Sequence, residues 1–127
     1  MTRYFHGGFP GLKPGDALLP PDATGTDHRL SSYALLLGGP AHATRTDVVY
    51  LTTDRQVAKG YAAFYPDGAL YAVTPESPVD PDPDCREPGL SWQCPRAVVT
   101  AVVDPVVLFR SRTPERWLRV VAGSIPA

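Results

Sequence analysis

Three groups of residues in this chain have types and positions suited to chemistry. His6 closes the run Arg3-Tyr4-Phe5-His6 directly before Gly7-Gly8. An imidazole there can hydrogen-bond a ligand or move a proton near neutral pH, and the two glycines let a ligand approach the main chain closely. Tyr50 stands among aliphatic neighbours in Asp47-Val48-Val49-Tyr50-Leu51-Thr52-Thr53-Asp54, where its ring could face a cleft. Asp80, Asp82 and Asp84 alternate with Pro81 and Pro83. Oxygen ligands at alternate positions suit a weak calcium site, but the prolines stiffen the loop and no acid follows at the usual distance. Cys85 and Cys94 have no nearby pair of histidines to complete a zinc site and are expected as two reduced thiols. His28 and His42 fit no metal-ligand spacing and receive no role.

Taken singly, each candidate also has a plain structural reading. His6 would be a hydrogen-bonded residue at a strand end, Tyr50 a core tyrosine with its hydroxyl at the rim, and the three aspartates solvated loop acids. Trp92 is expected to cover the core.

The elements that would position these residues follow from local pattern. Arg3 to His6 predicts a short strand. Leu12 to Pro20 predicts a turn at Pro14-Gly15 leading into a brief apolar strand, and Leu30 to Leu37 is short enough to be helix or strand. Asp47 to Asp54 is rich in β-branched and aromatic residues and predicts a short strand. Thr53 or Asp54 then caps a helix, with Val57, Ala58, Tyr61, Ala62 and Phe64 on its apolar side. Pro66-Asp67-Gly68 makes a turn, and Ala69 to Thr74 the next strand. Pro75 to Pro95 is a long Pro- and Asp-rich loop, of a length that in small domains usually serves function. Ala97 to Val103 predicts a buried strand, broken at Asp104-Pro105 and resumed over Val106 to Phe109, with a short element around Trp117 to Val121. Five or six strands and one clear helix predict a single α+β domain over residues 1–127, built on a bent or split sheet. The lack of βαβ alternation and of GxGxxG argues against a Rossmann fold.

Composition narrows the partners. The chain has 127 residues, 43% of them hydrophobic, enough for one ordinary core. A formal net charge of −1 provides no broad basic field, which argues against nonspecific nucleic-acid binding. No segment is apolar and long enough to span a bilayer, and Met1 to Gly8 lacks the apolar core of a signal peptide. A cytoplasmic monomer without membrane partners is expected.

Four stretches, taken together and in order, carry a resemblance. Tyr4-Phe5-His6-Gly7, Leu12-Lys13-Pro14-Gly15-Asp16-Ala17-Leu18, Val49-Tyr50-Leu51-Thr52, and Val73-Thr74-Pro75 leading to Asp82-Pro83 resemble the rifamycin ADP-ribosyltransferases, small relatives of the diphtheria-toxin-like His-Tyr-acid transferases. The match covers roughly residues 3 to 110 by eye. It implies an ADP-ribosyltransferase-like split sheet, NAD+ as ADP-ribose donor with no metal, and a catalytic set of His6, Tyr50 and Asp82. His6, Gly7, Tyr50 and Thr52 would contact NAD. By this resemblance the Gly7 main chain holds the carboxamide, His6 bonds a ribose hydroxyl, and the Tyr50 ring stacks on the electron-poor nicotinamide. Asp82 is matched because it precedes a proline and lies seven residues past a Val-x-Pro.

The chain departs from that pattern in three places. Pro81 separates Asp80 from Asp82 where the family has adjacent acids, which leaves Asp80, Asp82 and Asp84 in competition. Ser91-Trp92-Gln93 replaces a Ser-Tyr-Arg, removing a cationic contact for the pyrophosphate that Arg3, Arg45, Arg86 or Arg96 would have to replace. No C-terminal helix is evident after Arg112. The expected activity is mono-ADP-ribosyl transfer with nicotinamide release, to a small-molecule hydroxyl such as that of a rifamycin. The alternatives are a toxin- or effector-type transferase acting on a protein, an NAD glycohydrolase, and a non-catalytic nucleotide- or protein-binding module.

Overall fold

The computed structural model describes residues 2–20, 47–83, 85 and 87–122. The expectations for Leu30 to Leu37, His28, His42, Arg45, Asp84 and Arg86 lie outside these residues. Among the described residues, seven strands form one sheet: β1 (Tyr4–Gly8), β2 (Ala17–Leu18), β3 (Val49–Thr52), β4 (Ala69–Pro75), β5 (Asp80–Pro81), β6 (Ser91–Cys94) and β7 (Ala97–Asp104). Helix α1 (Arg55–Ala63) follows β3, and α2 (Pro114–Val121) follows a 3-10 turn at Phe109–Ser111. The sheet order is β2-β7-β4-β1-β3-β6-β5, and every neighbouring pair is antiparallel. This is an α+β architecture.

Helix α1 starts where Asp54, not Thr53, caps it. The Asp54 carboxylate accepts from Gln56 N at 2.8 Å and Val57 N at 3.3 Å, satisfying donors that the first turn leaves without partners. Val57, Ala58, Ala62 and Ala63 are buried, and small side chains there let the helix lie close to β1. At Gly7 the approach is closest. A Cβ on that residue would run into the Ala58 carbonyl oxygen and lie 2.6 Å from Ala62 N.

Two apolar clusters sit on the two faces of the sheet. One gathers Leu18, Val49, Leu51, Tyr71, Val73, Cys94 and Val99, with Tyr4 and Leu12 at its border. The other joins Ala58, Ala62, Phe64, Leu70, Val107, Trp117 and Val121 beneath the helices, with Phe5 at its border. Trp117 is fully buried, and its Nε1 donates to Phe109 O at 2.6 Å.

The structure revises several expectations. The loop from Pro75 to Pro95 contains β5 and β6, and β6 is an internal strand between β3 and β5. Val106 to Phe109 does not resume the strand; a 3-10 turn follows instead. The chain after Arg112 is helical, with Thr113 as cap and Pro114 in the first turn. β7 is buried only at Ala97 and Val99. The reason is that β2 pairs only with Ala97 and Val98, so the remainder of β7 is an edge. As expected, Cys94 carries a thiol, and it is buried; Cys85 Sγ donates to Glu87 O at 3.0 Å.

Candidate functional site

The central feature is the junction of β1 with β3. β1 stays paired with β4 through five positions, from Tyr4↔Val73 to Gly8↔Ala69, but is in register with β3 at one position, Phe5↔Thr52. Past that pair a side chain takes over the bridging. His6 Nδ1 lies 2.8 Å from the carbonyl oxygen of Tyr50. A carbonyl can only accept, so Nδ1 carries the hydrogen and Nε2 of the neutral ring is left as the acceptor. Gly8 makes room for that atom, since a Cβ there would lie 2.8 Å from His6 Nε2.

Burial keeps the His6 ring neutral, lowering its pKa below the usual 6.5 while the hydrogen bond to Tyr50 opposes in part. The unfolded chain therefore takes up a proton here at pH values where the folded one does not. Stability from this residue is complete above about pH 6.5 and falls as the pH drops below it. The slope is at most about 1.4 kcal/mol per pH unit. Melting temperatures measured from about pH 7.5 down to 5 should fall more steeply for the wild type than for His6→Gln. Parallel profiles would overturn this account of the imidazole.

The Tyr50 ring leaves its strand differently from the His6 ring. Val49 and Leu51 belong to the first apolar cluster, so alternation sends Tyr50 and Thr52 to the helix-bearing face. Tyr4 borders the first cluster and Phe5 the second, so His6 follows Tyr4. The structure thus brings the imidazole to the main chain of Tyr50, while the two rings leave on opposite faces.

Asp82 is buried, at 5% exposure, whereas Asp80 is exposed. It continues the β5–β6 ladder, donating its N–H to Ser91 O at 3.1 Å. Ser91 Oγ donates to Asp82 Oδ2 at 2.9 Å, which fixes the carboxylate's direction. Asp82, Ser91, Thr52 and Phe5 form one row across β5, β6, β3 and β1. Three strand spacings separate its ends, about 14 Å in a flat sheet.

Thr52 is occupied structurally. Its hydroxyl donates to Leu90 O at 2.8 Å and accepts from Asp54 N at 3.1 Å, tying the end of β3 to the loop before β6. Arg96 forms an ion pair with Glu76 at 2.9 Å, and Arg3 is exposed ahead of β1. Among the described residues, no three His, Cys, Asp or Glu side chains group to hold a metal ion. Residues to which the sequence analysis gave no role are Ser91, which holds the acid, and Gln93, which lies directly opposite Tyr50. The signal that could have indicated them is the alternation of polar Ser91 and Gln93 with apolar Trp92 and Cys94, only four residues long and set in a Pro-rich stretch.

No protein-family model matches the chain, and no curated protein sequence matches it.

Proposed function

We propose that this chain is an NAD-dependent mono-ADP-ribosyltransferase with an ADP-ribosyltransferase-like sheet. The observation that carries the proposal is the His6–Tyr50 bridge at the parting of β1 and β3. It joins two elements of the motif order that are 44 residues apart in the chain, and it leaves Nε2 as an acceptor suited to a ribose hydroxyl. Burial of Asp82 and its fixation by Ser91 favour it over Asp80 as the acid.

In the reaction, the bond from the ribose anomeric carbon to the nicotinamide nitrogen breaks and nicotinamide leaves with the electron pair. Positive charge grows on the ribose. The acceptor hydroxyl oxygen bonds to the same carbon and loses its proton to a carboxylate or to solvent. A small-molecule hydroxyl, such as that of a rifamycin, is the first acceptor to test; a protein side chain or water are the others.

The decisive assay incubates the protein with NAD, with and without rifampicin, and follows nicotinamide release together with the acceptor's mass. A rifampicin-dependent release with one added ADP-ribose is the expected result. Release without any adduct would make the chain a glycohydrolase. No release, with no thermal shift from millimolar NAD, would end the proposal.

A further inference from the structure

Gln93 is 8% exposed, and its Oε1 is buried without a hydrogen-bond partner among the described residues. It stands in register between Tyr50 on β3 and Asp80 on β5, one step along the same face from the row of Thr52, Ser91 and Asp82. Buried polar atoms are almost always paired in folded proteins, and an unpaired one calls for an explanation. Two readings of the orphan differ in consequence. An ordered water could take up the lone pairs, or a ligand donor could complete them when it binds beside Tyr50.

The neighbourhood favours the ligand. Along β6 the two residues on this face are polar, Ser91 and Gln93, and the first already holds a carboxylate. Acceptors gathered beside an aromatic residue suit a polyhydroxylated group, whose O–H bonds supply donors while its carbon skeleton meets the ring. We propose that Gln93 is a ligand-binding residue whose Oε1 accepts a hydrogen bond from a ribose hydroxyl of the dinucleotide. This rests on the NAD reading above and extends its site from the β1–β3 junction onto β6.

The test compares full-length wild type with Gln93→Met, which keeps the side chain's length and removes both polar atoms. The probe is an NAD analogue with a methylene in place of the nicotinamide-ribose ring oxygen; it keeps every hydroxyl and cannot release nicotinamide. Calorimetric titration should give a dissociation constant about tenfold weaker for the variant, with a melting temperature unchanged or raised because the orphan acceptor is gone. Should Gln93→Met not fold, Gln93→Asn, which withdraws the amide by one methylene, takes its place in the same comparison. Equal affinities would overturn the assignment of Gln93 and leave the NAD reading standing, the acceptor then serving a water only. Failure of the wild type to bind the analogue would overturn both.

Discussion

Replacing Gly7 by alanine should cost at least about 3 kcal/mol of folding stability, a large part of what a domain of this size possesses. The cause is steric and local. The added methyl would meet main-chain atoms of α1, the Ala58 carbonyl and the Ala62 amide, the second at 2.6 Å. Main chain inside a helix cannot turn aside as a side chain can, so either α1 lifts from the sheet or β1 shifts against β4. Lifting α1 would open the cluster around Ala62, Leu70 and Trp117, each fully or nearly fully buried. Urea unfolding of Gly7→Ala beside Gly8→Ala measures the contrast. At Gly8 the new methyl meets only the far end of the His6 ring, which can swing away, so the expected loss is about 1 kcal/mol or less. A Gly7→Ala protein within about 1 kcal/mol of the wild type would mean that α1 does not rest on β1 as described. The prediction also bears on function, because lost NAD binding in Gly7→Ala is not by itself a sign of a carboxamide contact.

The sequence was most legible where local pattern and tertiary pairing agree. Val49 to Thr52 has the composition of a strand and is one, and the polar Thr53-Asp54 that follows supplies the cap of α1. The strands expected over Arg3 to His6 and Ala69 to Thr74 correspond to β1 (Tyr4–Gly8) and β4 (Ala69–Pro75) for the same reason. β6 was hidden because Ser91-Trp92-Gln93-Cys94 lacks a β-branched residue and sits in a Pro-rich stretch. Its strand conformation comes from the ladders with β3 and β5 on either side, which no local window contains. α2 carried a legible start at Thr113-Pro114-Glu115, but Val120 and Val121 lower helix propensity and only packing on α1 overrides them. Val121 Cγ1 lies 2.7 Å from where a Cβ on Gly60 would be.

The site was legible as an order of residues and not as a shape. His6 and Tyr50 could be picked out, but alternation in a sheet depends on register. Register between β1 and β3 rests on the single pair Phe5↔Thr52. Thr52 illustrates the limit. The resemblance implied an NAD contact there, and no sequence pattern shows that its hydroxyl already engages Leu90 O and Asp54 N.

If the proposed transferase activity holds, removing the Asp82 charge should have the largest effect on turnover. A carboxylate about 4 Å from the growing charge on the ribose, at an effective dielectric near 20, contributes up to about 4 kcal/mol, close to three orders of magnitude in rate. Asp82→Asn separates this from folding, because its amide oxygen still accepts from Ser91 Oγ, the bond that now measures 2.9 Å. Asp82→Ala leaves that hydroxyl without its acceptor and should lose about 1–2 kcal/mol of stability as well. Both variants should therefore release nicotinamide about 100- to 1000-fold more slowly, with the Michaelis constant for NAD nearly unchanged, while only the alanine melts earlier. His6→Ala and Tyr50→Ala should do the converse, raising the Michaelis constant first, because the proposal gives them NAD binding and not the acceptor. Asp80→Ala is the control: its carboxylate is exposed, so solvent screens it and turnover should change little. A larger loss from Asp80→Ala than from Asp82→Ala would move the acid to the start of β5. Equal turnover in Asp82→Asn and wild type would mean that the 14 Å row from β1 to β5, about three strand spacings long, does not close around one ribose.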